Sequence, residues 1–193
     1  MRLFIAAELS NSLQHAAARA ADWIQERVQT AAPHSRIRWV PAVNLHVTIW
    51  FLGEVAEAKA ETVVRALRQP LGVPPVALRL EGAGAFPASG EPRTLWLGLT
   101  SGREGLIAVH DLLTPRLQKL GFEPERRQFS PHLTIARVKE ARRSEVAAIR
   151  RVLHEADDVV GECQLASVTL FRSTTAPTGS RYEVLLHAPL SDG

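Results

Sequence analysis

Two segments decide the reading of this 193-residue chain: Leu45-His46-Val47-Thr48-Ile49 and Pro131-His132-Leu133-Thr134-Ile135. Each sets a His-x-Thr among apolar, partly β-branched neighbours, the composition of a half-buried strand. Residues two apart on a strand project from one face, so His46 and Thr48 point together, as do His132 and Thr134. On that alternation Leu45, Val47, Ile49 and Phe51 form the core-facing side of the first strand, and Leu133 and Ile135 that of the second. With 7 His and 11 Thr in the chain, chance supplies about 0.4 such triplets. The pair therefore draws its weight from what surrounds it.

Around the two motifs, both halves of the chain carry the same elements in the same order. In the first, a strand from Arg2 to Ala7 leads to a helix from Asn11 to Val28, capped by Ser10, with Leu13, Ala17, Ala20, Ile24 and Val28 on one stripe. A short strand Ile37–Val40 and the His-x-Thr strand Leu45–Leu52 follow, the latter ended by Gly53. A helix Ala56–Gln69, with Ala60, Val63 and Leu67 inward, and a strand from Val76 to Leu80 complete this half. The second half runs strand Thr94–Leu99, helix Arg103–Leu120 with Leu106, Val109, Leu113, Leu117 and Leu120 on one face, and strand His132–Val138. A helix near Ser144–Glu155 and a strand near Gln164–Phe171 come next. Aligning Leu95 with Leu3 and His132 with His46 leaves the copies different by only a few loop residues, as an internal duplication requires. The repeats span about 1–88 and 92–193, joined by a linker over Gly82–Gly90. Ser173–Ser180 forms a loop before a final strand at Arg181–His187. The duplication predicts a single domain over 1–193 that mixes helices and strands, its two halves related by a pseudo-two-fold axis across a cleft.

Composition narrows the setting. One cysteine, Cys163, excludes an intramolecular disulfide framework and points to a reducing, cytoplasmic location. No apolar run reaches the ~20 residues that span a bilayer, and the N-terminal run is too short for a signal peptide. No membrane partner is expected. The formal charge is +3, with arginines clustered at Arg36 and Arg38, Arg126-Arg127, Arg142-Arg143 and Arg150-Arg151. Solvated surface explains any one of these pairs; together they suit a phosphate-bearing ligand.

A pseudo-two-fold axis would bring the two motifs face to face. Two imidazoles so placed fit in-line displacement at phosphorus, one taking a proton from water and the other giving one to the departing oxygen. An unperturbed pKa of ~6.5 lets histidine serve in either form near neutrality. The threonine hydroxyls would hold the non-bridging oxygens. Paired histidines with no carboxylate or thiolate partner make a poor metal-ligand set, so neither metal nor cofactor is expected. The residues alone do not tell acid from base.

These residues, together with Arg2-Leu3-Phe4-Ile5-Ala6, Arg38-Trp39-Val40-Pro41, Asn44-Leu45-His46-Val47-Thr48 and Phe51-Leu52-Gly53-Glu54-Val55, resemble the two-histidine phosphoesterase superfamily. So do Phe86-Pro87, Pro92-Arg93-Thr94-Leu95-Trp96-Leu97-Gly98 and Phe129-Ser130-Pro131-His132-Leu133-Thr134-Ile135-Ala136-Arg137. Within it, they are most similar to the RNA 2′,3′-cyclic phosphodiesterases, also called 2′-5′ RNA ligases, through almost the whole chain. The resemblance implies an α+β, bilobal fold, a pseudo-two-fold duplication with two antiparallel sheets and outer helices around a central cleft. It also implies metal-independent hydrolysis of an RNA 2′,3′-cyclic phosphate end to a 2′-phosphate, with reverse 2′-5′ ligation as a secondary activity. It implies His46 as proton donor to O3′, His132 as proton acceptor from water, and Thr48, Thr134 and Arg137 as substrate-binding residues. The partner it implies is RNA with a 2′,3′-cyclic phosphate end, or a cyclic nucleotide, and the expected state is a monomer.

Arg137 raises a difficulty. Five residues beyond His132, strict alternation points it to the opposite face, and only a bulge or the strand's end re-aims it. The first repeat carries Phe51 at that spacing, so the half-sites are not equivalent. Ala42-Val43 departs from the family's Pro-Glu, and Trp50, on the face of His46 and Thr48, is placed to stack on a base or to pack at the rim. His15, His34, His110, His154 and His187 read as structural, and Tyr182 borders the groove without an assigned role. A catalytically silent RNA-binding module, or an enzyme for small 2′-5′ oligonucleotides or cyclic ADP-ribose products, are the competing readings.

Overall fold

The apolar run Leu3-Phe4-Ile5-Ala6-Ala7 becomes β1 (Arg2–Glu8), an inner strand of its sheet that is buried on both faces. Leu3, Ile5 and Ala7 join the main core, whereas Phe4 and Ala6 face the other way and pack with Phe171 and Tyr182 in a small separate cluster. The computed structural model describes residues 1–176 and 179–191. After β1 come α1 (Asn11–Ala31), β2 (Arg36–Trp39), a one-turn 3₁₀ segment Ala42–Asn44, β3 (His46–Glu54), α2 (Glu57–Leu67) and β4 (Val76–Phe86). Then follow β5 (Thr94–Ser101), α3 (Arg103–Gln118), β6 (Leu133–Glu140), α4 (Val146–Glu155), β7 (Val159–Leu165), β8 (Ser167–Ala176) and β9 (Gly179–Pro189).

The strands make two sheets of wholly antiparallel neighbours, ordered β3-β1-β8-β9 and β2-β6-β5-β4-β7. Setting β2 aside, the first order maps onto the second as β6-β5-β4-β7, which is the pseudo-two-fold expected from the repeat. The fold is α+β with helices outside and a groove between the sheets, where β3 and β6 approach each other. α1 packs beside α4 against β7, and α3 packs over β3, β4 and β5. Ser10 caps α1 as expected, its hydroxyl accepting the Leu13 N–H at 3.3 Å, a contact worth about 1 kcal/mol. The inward stripe of α1 uses Ala21 where Ala20 was expected; Ala20 is only half-buried. No helix among the described residues is long and apolar enough to cross a membrane.

The sequence repeats are not the spatial lobes. β4 belongs to the sheet of the second half, and β8 and β9 return to the sheet of the first. The expected linker Gly82–Gly90 is half strand, since β4 continues to Phe86. Gly82 sits at a register shift with φ +68°, and Gly84 lies so close beneath Trp96 that a Cβ there would come within 2.4 Å of its ring. Likewise Gly53, with φ +72°, adjoins a bulge in β3 and does not end it. Glycine in these strands marks a bulge or close packing, not a break. The strand expected at Gln164–Phe171 is two strands in different sheets, β7 and β8, which change over at Ala166. The expected loop Ser173–Ser180 is mostly the β8–β9 hairpin; Pro177 and Thr178 lie outside the described residues.

Candidate active site

Both His-x-Thr strands break their alternation at the same place. In the ladder between β1 and β3, Ala6 pairs with Thr48 and Ile5 with Trp50, so Ile49 is an extra, bulged residue. Between β5 and β6, Trp96 pairs with Thr134 and Leu95 with Ala136, so Ile135 is bulged. Each bulge leaves two consecutive buried residues, Ile49-Trp50 and Ile135-Ala136, and reverses the facing of everything after it. Phe51 and Arg137 therefore turn to the groove. Phe51, expected in the core, is 51% exposed. Trp50, expected on the groove face beside His46 and Thr48, is buried, its indole N–H donating to Thr114 Oγ1 at 3.2 Å, and it lines the His132 cavity rather than that of His46. The ladders also correct the repeat alignment, matching Leu95 to Ile5 rather than to Leu3.

Each histidine is held in the same way. His46 Nδ1 lies 2.7 Å from the Asn44 carbonyl, and His132 Nδ1 2.7 Å from the Ser130 carbonyl, in both cases two residues back. A carbonyl only accepts, so Nδ1 carries the proton and the neutral ring presents the Nε2 lone pair. His46 Nε2 accepts from the Thr48 hydroxyl at 3.0 Å. Among the described residues His132 Nε2 has no such partner. Aromatic rings flank the two differently: Phe4 lies tilted 5.0 Å from His46 with Tyr182 edge-on at 5.3 Å, while Phe86 stands edge-on 5.0 Å from His132. Burial lowers both pKa values below the usual histidine range. The carbonyl hydrogen bonds oppose this, the Glu8 carboxylate also opposes it at His46, and Arg137 deepens it at both.

The groove holds two adjoining cavities. One, of about 550 Å³, contains His46; the other, of about 500 Å³, contains His132. They share four lining residues: Thr48, Thr134, Arg137 and Phe51. The three polar residues expected to bind phosphate thus sit where the two histidine compartments meet. Arg137 is fixed there by donating to Thr94 Oγ1 at 2.7 Å, and Thr94 is itself buried. A tetrahedral phosphate at this junction would meet two hydroxyls and a guanidinium between two Nε2 atoms. Among the described residues no three His, Cys, Asp or Glu side chains gather as a metal site.

The model of the 2′-5′ RNA ligase superfamily matches residues 14–176. This chain belongs to that superfamily. An RNA 2′,3′-cyclic phosphodiesterase of Aeropyrum pernix is 33% identical over 162 residues, covering 82% of this chain and 90% of the relative. Another, of Methanocaldococcus jannaschii, is 32% identical over 185 residues, covering 96% and 98%. The crystal structure of Escherichia coli LigT complexed with NADP+ superposes with a TM-score of 0.73 at 27% identity, covering 99% and 98%. Superfamily and relatives together place the chain in the enzyme class of the RNA 2′,3′-cyclic phosphodiesterases.

Sequence reasoning missed three residues in or beside this superfamily member's groove. Thr94 stood in a segment already singled out, but only the ladder shows it opposite Arg137. Glu8 lies opposite His46 in the ladder, where its carboxylate accepts from Thr169 and lies 3.3 Å from His187 Nδ1. His110, read as structural, lines the second cavity, stacked between Trp50 and Phe129. His15, His34 and His154 line neither cavity.

Proposed function

We propose that this protein hydrolyses the 2′,3′-cyclic phosphate at an RNA end to a 2′-phosphate, with His46 as the acid and His132 as the base. Water held by His132 Nε2 attacks phosphorus and gives up its proton to that nitrogen. The P–O3′ bond breaks, and a protonated His46 gives its Nε2 proton to O3′. Thr48, Thr134 and Arg137 hold the non-bridging oxygens as charge builds on them. The observation carrying this reading is the pair of Nε2-presenting imidazoles, one in each cavity, with those three side chains at the shared wall. Two features favour His46 as the acid: the Glu8 carboxylate, which favours its charged form, and the resemblance. The single negative charge of the bound cyclic phosphodiester favours the protonated form of both histidines and so raises their pKa values.

No step in this scheme calls for a metal. Both half-sites come from one chain, which fits a monomer acting as one catalytic unit. A 5′-hydroxyl in place of water would give a 2′-5′ linkage by the same proton movements, so ligation is a secondary activity of the same site. The deciding experiment is turnover of a nucleoside 2′,3′-cyclic phosphate in excess EDTA, with the product identified by phosphorus NMR. A 2′-monophosphate at undiminished rate is expected. Loss of activity on chelation, or a 3′-phosphate product, overturns the mechanism.

A further inference from the structure

We infer that the RNA chain on the 5′ side of the cyclic phosphate lies in the His46 cavity, where Arg38 and Lys139, with Arg2 beyond them, bind its backbone phosphates. The inference rests on the function proposed above and adds a direction to the groove.

The first observation is a division of charge. The lining of the His46 cavity includes Arg2, Arg38, Arg137 and Lys139 and no carboxylate. The His132 cavity includes Arg127 and Arg137 with Glu125, and is otherwise rich in rings. A third hollow, of about 580 Å³, also touches His46, and its lining includes both Arg181 and the carboxylate of Glu8. Among the described residues lining these three hollows, those of the His46 cavity alone offer a polyanion a carboxylate-free wall.

The second observation is that this wall is arranged against its own interest. In the ladder between β2 and β6, Arg38 stands directly opposite Arg137, and like charges so placed destabilise a sheet. Arg36, at the far end of β2, is relieved by Glu140 at 3.8 Å. Among the described residues neither Arg38 nor Lys139 lies within ion-pair distance of a carboxylate. Arg2 enters from the facing sheet, with Glu54 opposite it in the ladder but turned to the Met1 amino group at 3.7 Å. Unpaired cations on both walls of one cavity are satisfied by an anion between them.

Chemistry supplies the direction. The leaving O3′ belongs to the terminal nucleoside, so that nucleoside lies on the side of the acid, and its 5′-phosphate continues away on the same side. If His46 is the acid, the continuing chain enters the cationic cavity. The His132 cavity is left for water or an incoming 5′-hydroxyl.

The test compares uridine 2′,3′-cyclic phosphate with a trinucleotide carrying the same cyclic end and two internal phosphates. The trinucleotide is expected to have kcat/KM about tenfold higher at low salt, through KM rather than kcat, because remote phosphates bind substrate and transition state alike. Its log kcat/KM should fall with log[salt] more steeply than that of the mononucleotide by about 1.4, or about 0.7 for each phosphate. In the double variant Arg38→Gln/Lys139→Gln the ratio between substrates should collapse toward one. Equal kcat/KM for the two substrates in the wild type, equal salt slopes, or a ratio preserved in the variant would each overturn the inference. The salt comparison needs no variant and so stands even if the substitutions impair folding. If neither substrate is turned over, it is the proposed function that fails.

Discussion

At the bulge of each His-x-Thr strand the two halves hold the same backbone and opposite chemistry. In the first, Phe51 turns into the groove and lies 6.2 Å from Phe4 on the neighbouring strand. In the second, Arg137 turns into the groove and donates to Thr94 on the neighbouring strand at 2.7 Å. The ladders make Thr94 the counterpart of Phe4 and Arg137 the counterpart of Phe51. A duplicated scaffold thus delivers two similarly held imidazoles, while of the two matched positions just after the bulges one carries a cation, Arg137, at the wall shared by both cavities. On the proposed mechanism, symmetry positions the two proton carriers, and its breaking places the charge that would hold the phosphate.

The largest effect should come from the imidazoles. His46→Ala and His132→Ala are each expected to lower kcat by about 10²–10⁴-fold, the usual range for general acid–base catalysis. The two losses can be told apart with a cyclic substrate bearing sulfur at the 3′ position. A thiolate leaves without needing a proton, so this substrate should restore much of the activity of His46→Ala and none of that of His132→Ala. Rescue of His132→Ala instead would exchange the two roles. The same coupled pair predicts a bell-shaped pH dependence of kcat/KM; a flat profile between about pH 5 and pH 9 would count against two titrating groups.

The next effect tests the broken symmetry directly. Arg137→Gln should cost about 10²-fold in kcat/KM, since it removes a charged donor from developing negative charge. It should also move the pH limbs of both histidines upward, because Arg137 lowers both pKa values. The matched change in the other half, Phe51→Ala, should cost only a fewfold and leave the limbs in place. Similar losses from the two variants would mean that the halves share phosphate binding after all.

Much of this was legible in the sequence, and the limits have physical causes. The two-fold order, the Ser10 cap and the position of the histidines follow from periodicity and local chemistry. The facing of Phe51, Trp50 and Arg137 does not, because a bulge inserts one residue without changing composition. Its one local trace is the doubled apolar step, Ile49-Trp50 and Ile135-Ala136, where alternation calls for a polar residue. The linker was misplaced because Gly82 and Gly84 read as breakers, whereas one relaxes a bulge and the other makes room for Trp96. The return of β8 and β9 to the first sheet is a choice of long-range pairing that no local pattern encodes.

A smaller effect appears in stability. Because burial holds both histidines below their unfolded pKa of ~6.5, the unfolded chain binds more protons between that value and the folded one. Stability is therefore complete above that window and declines as pH falls through it. Denaturant titrations at pH 7.5 and 5.5 should show the loss, and the double variant His46→Gln/His132→Gln should show less of it. An equal loss in the variant would assign the acid sensitivity to other groups.

The smallest expected effect concerns Glu8, and it asks whether the halves differ at the histidines themselves. Glu8 pairs with His46 across the ladder, held by the Thr169 hydroxyl on one side and close to His187 on the other. Extending the β1–β5 correspondence puts Gly98 at its place in the second half, and a Cβ there would lie 2.8 Å from the Glu81 carbonyl oxygen, so no acidic side chain could occupy it. Glu8→Gln keeps the shape and a hydrogen-bonding partner for Thr169 while removing the charge that favours protonated His46. The limb belonging to His46 should move to lower pH, reducing kcat/KM severalfold on the alkaline side of the optimum, while the His132 limb stays. Histidine NMR titrations would separate the two rings. Equal movement of both would mean that Glu8 acts through the net charge of the groove; no movement would leave Arg137 as the sole electrostatic difference between the halves.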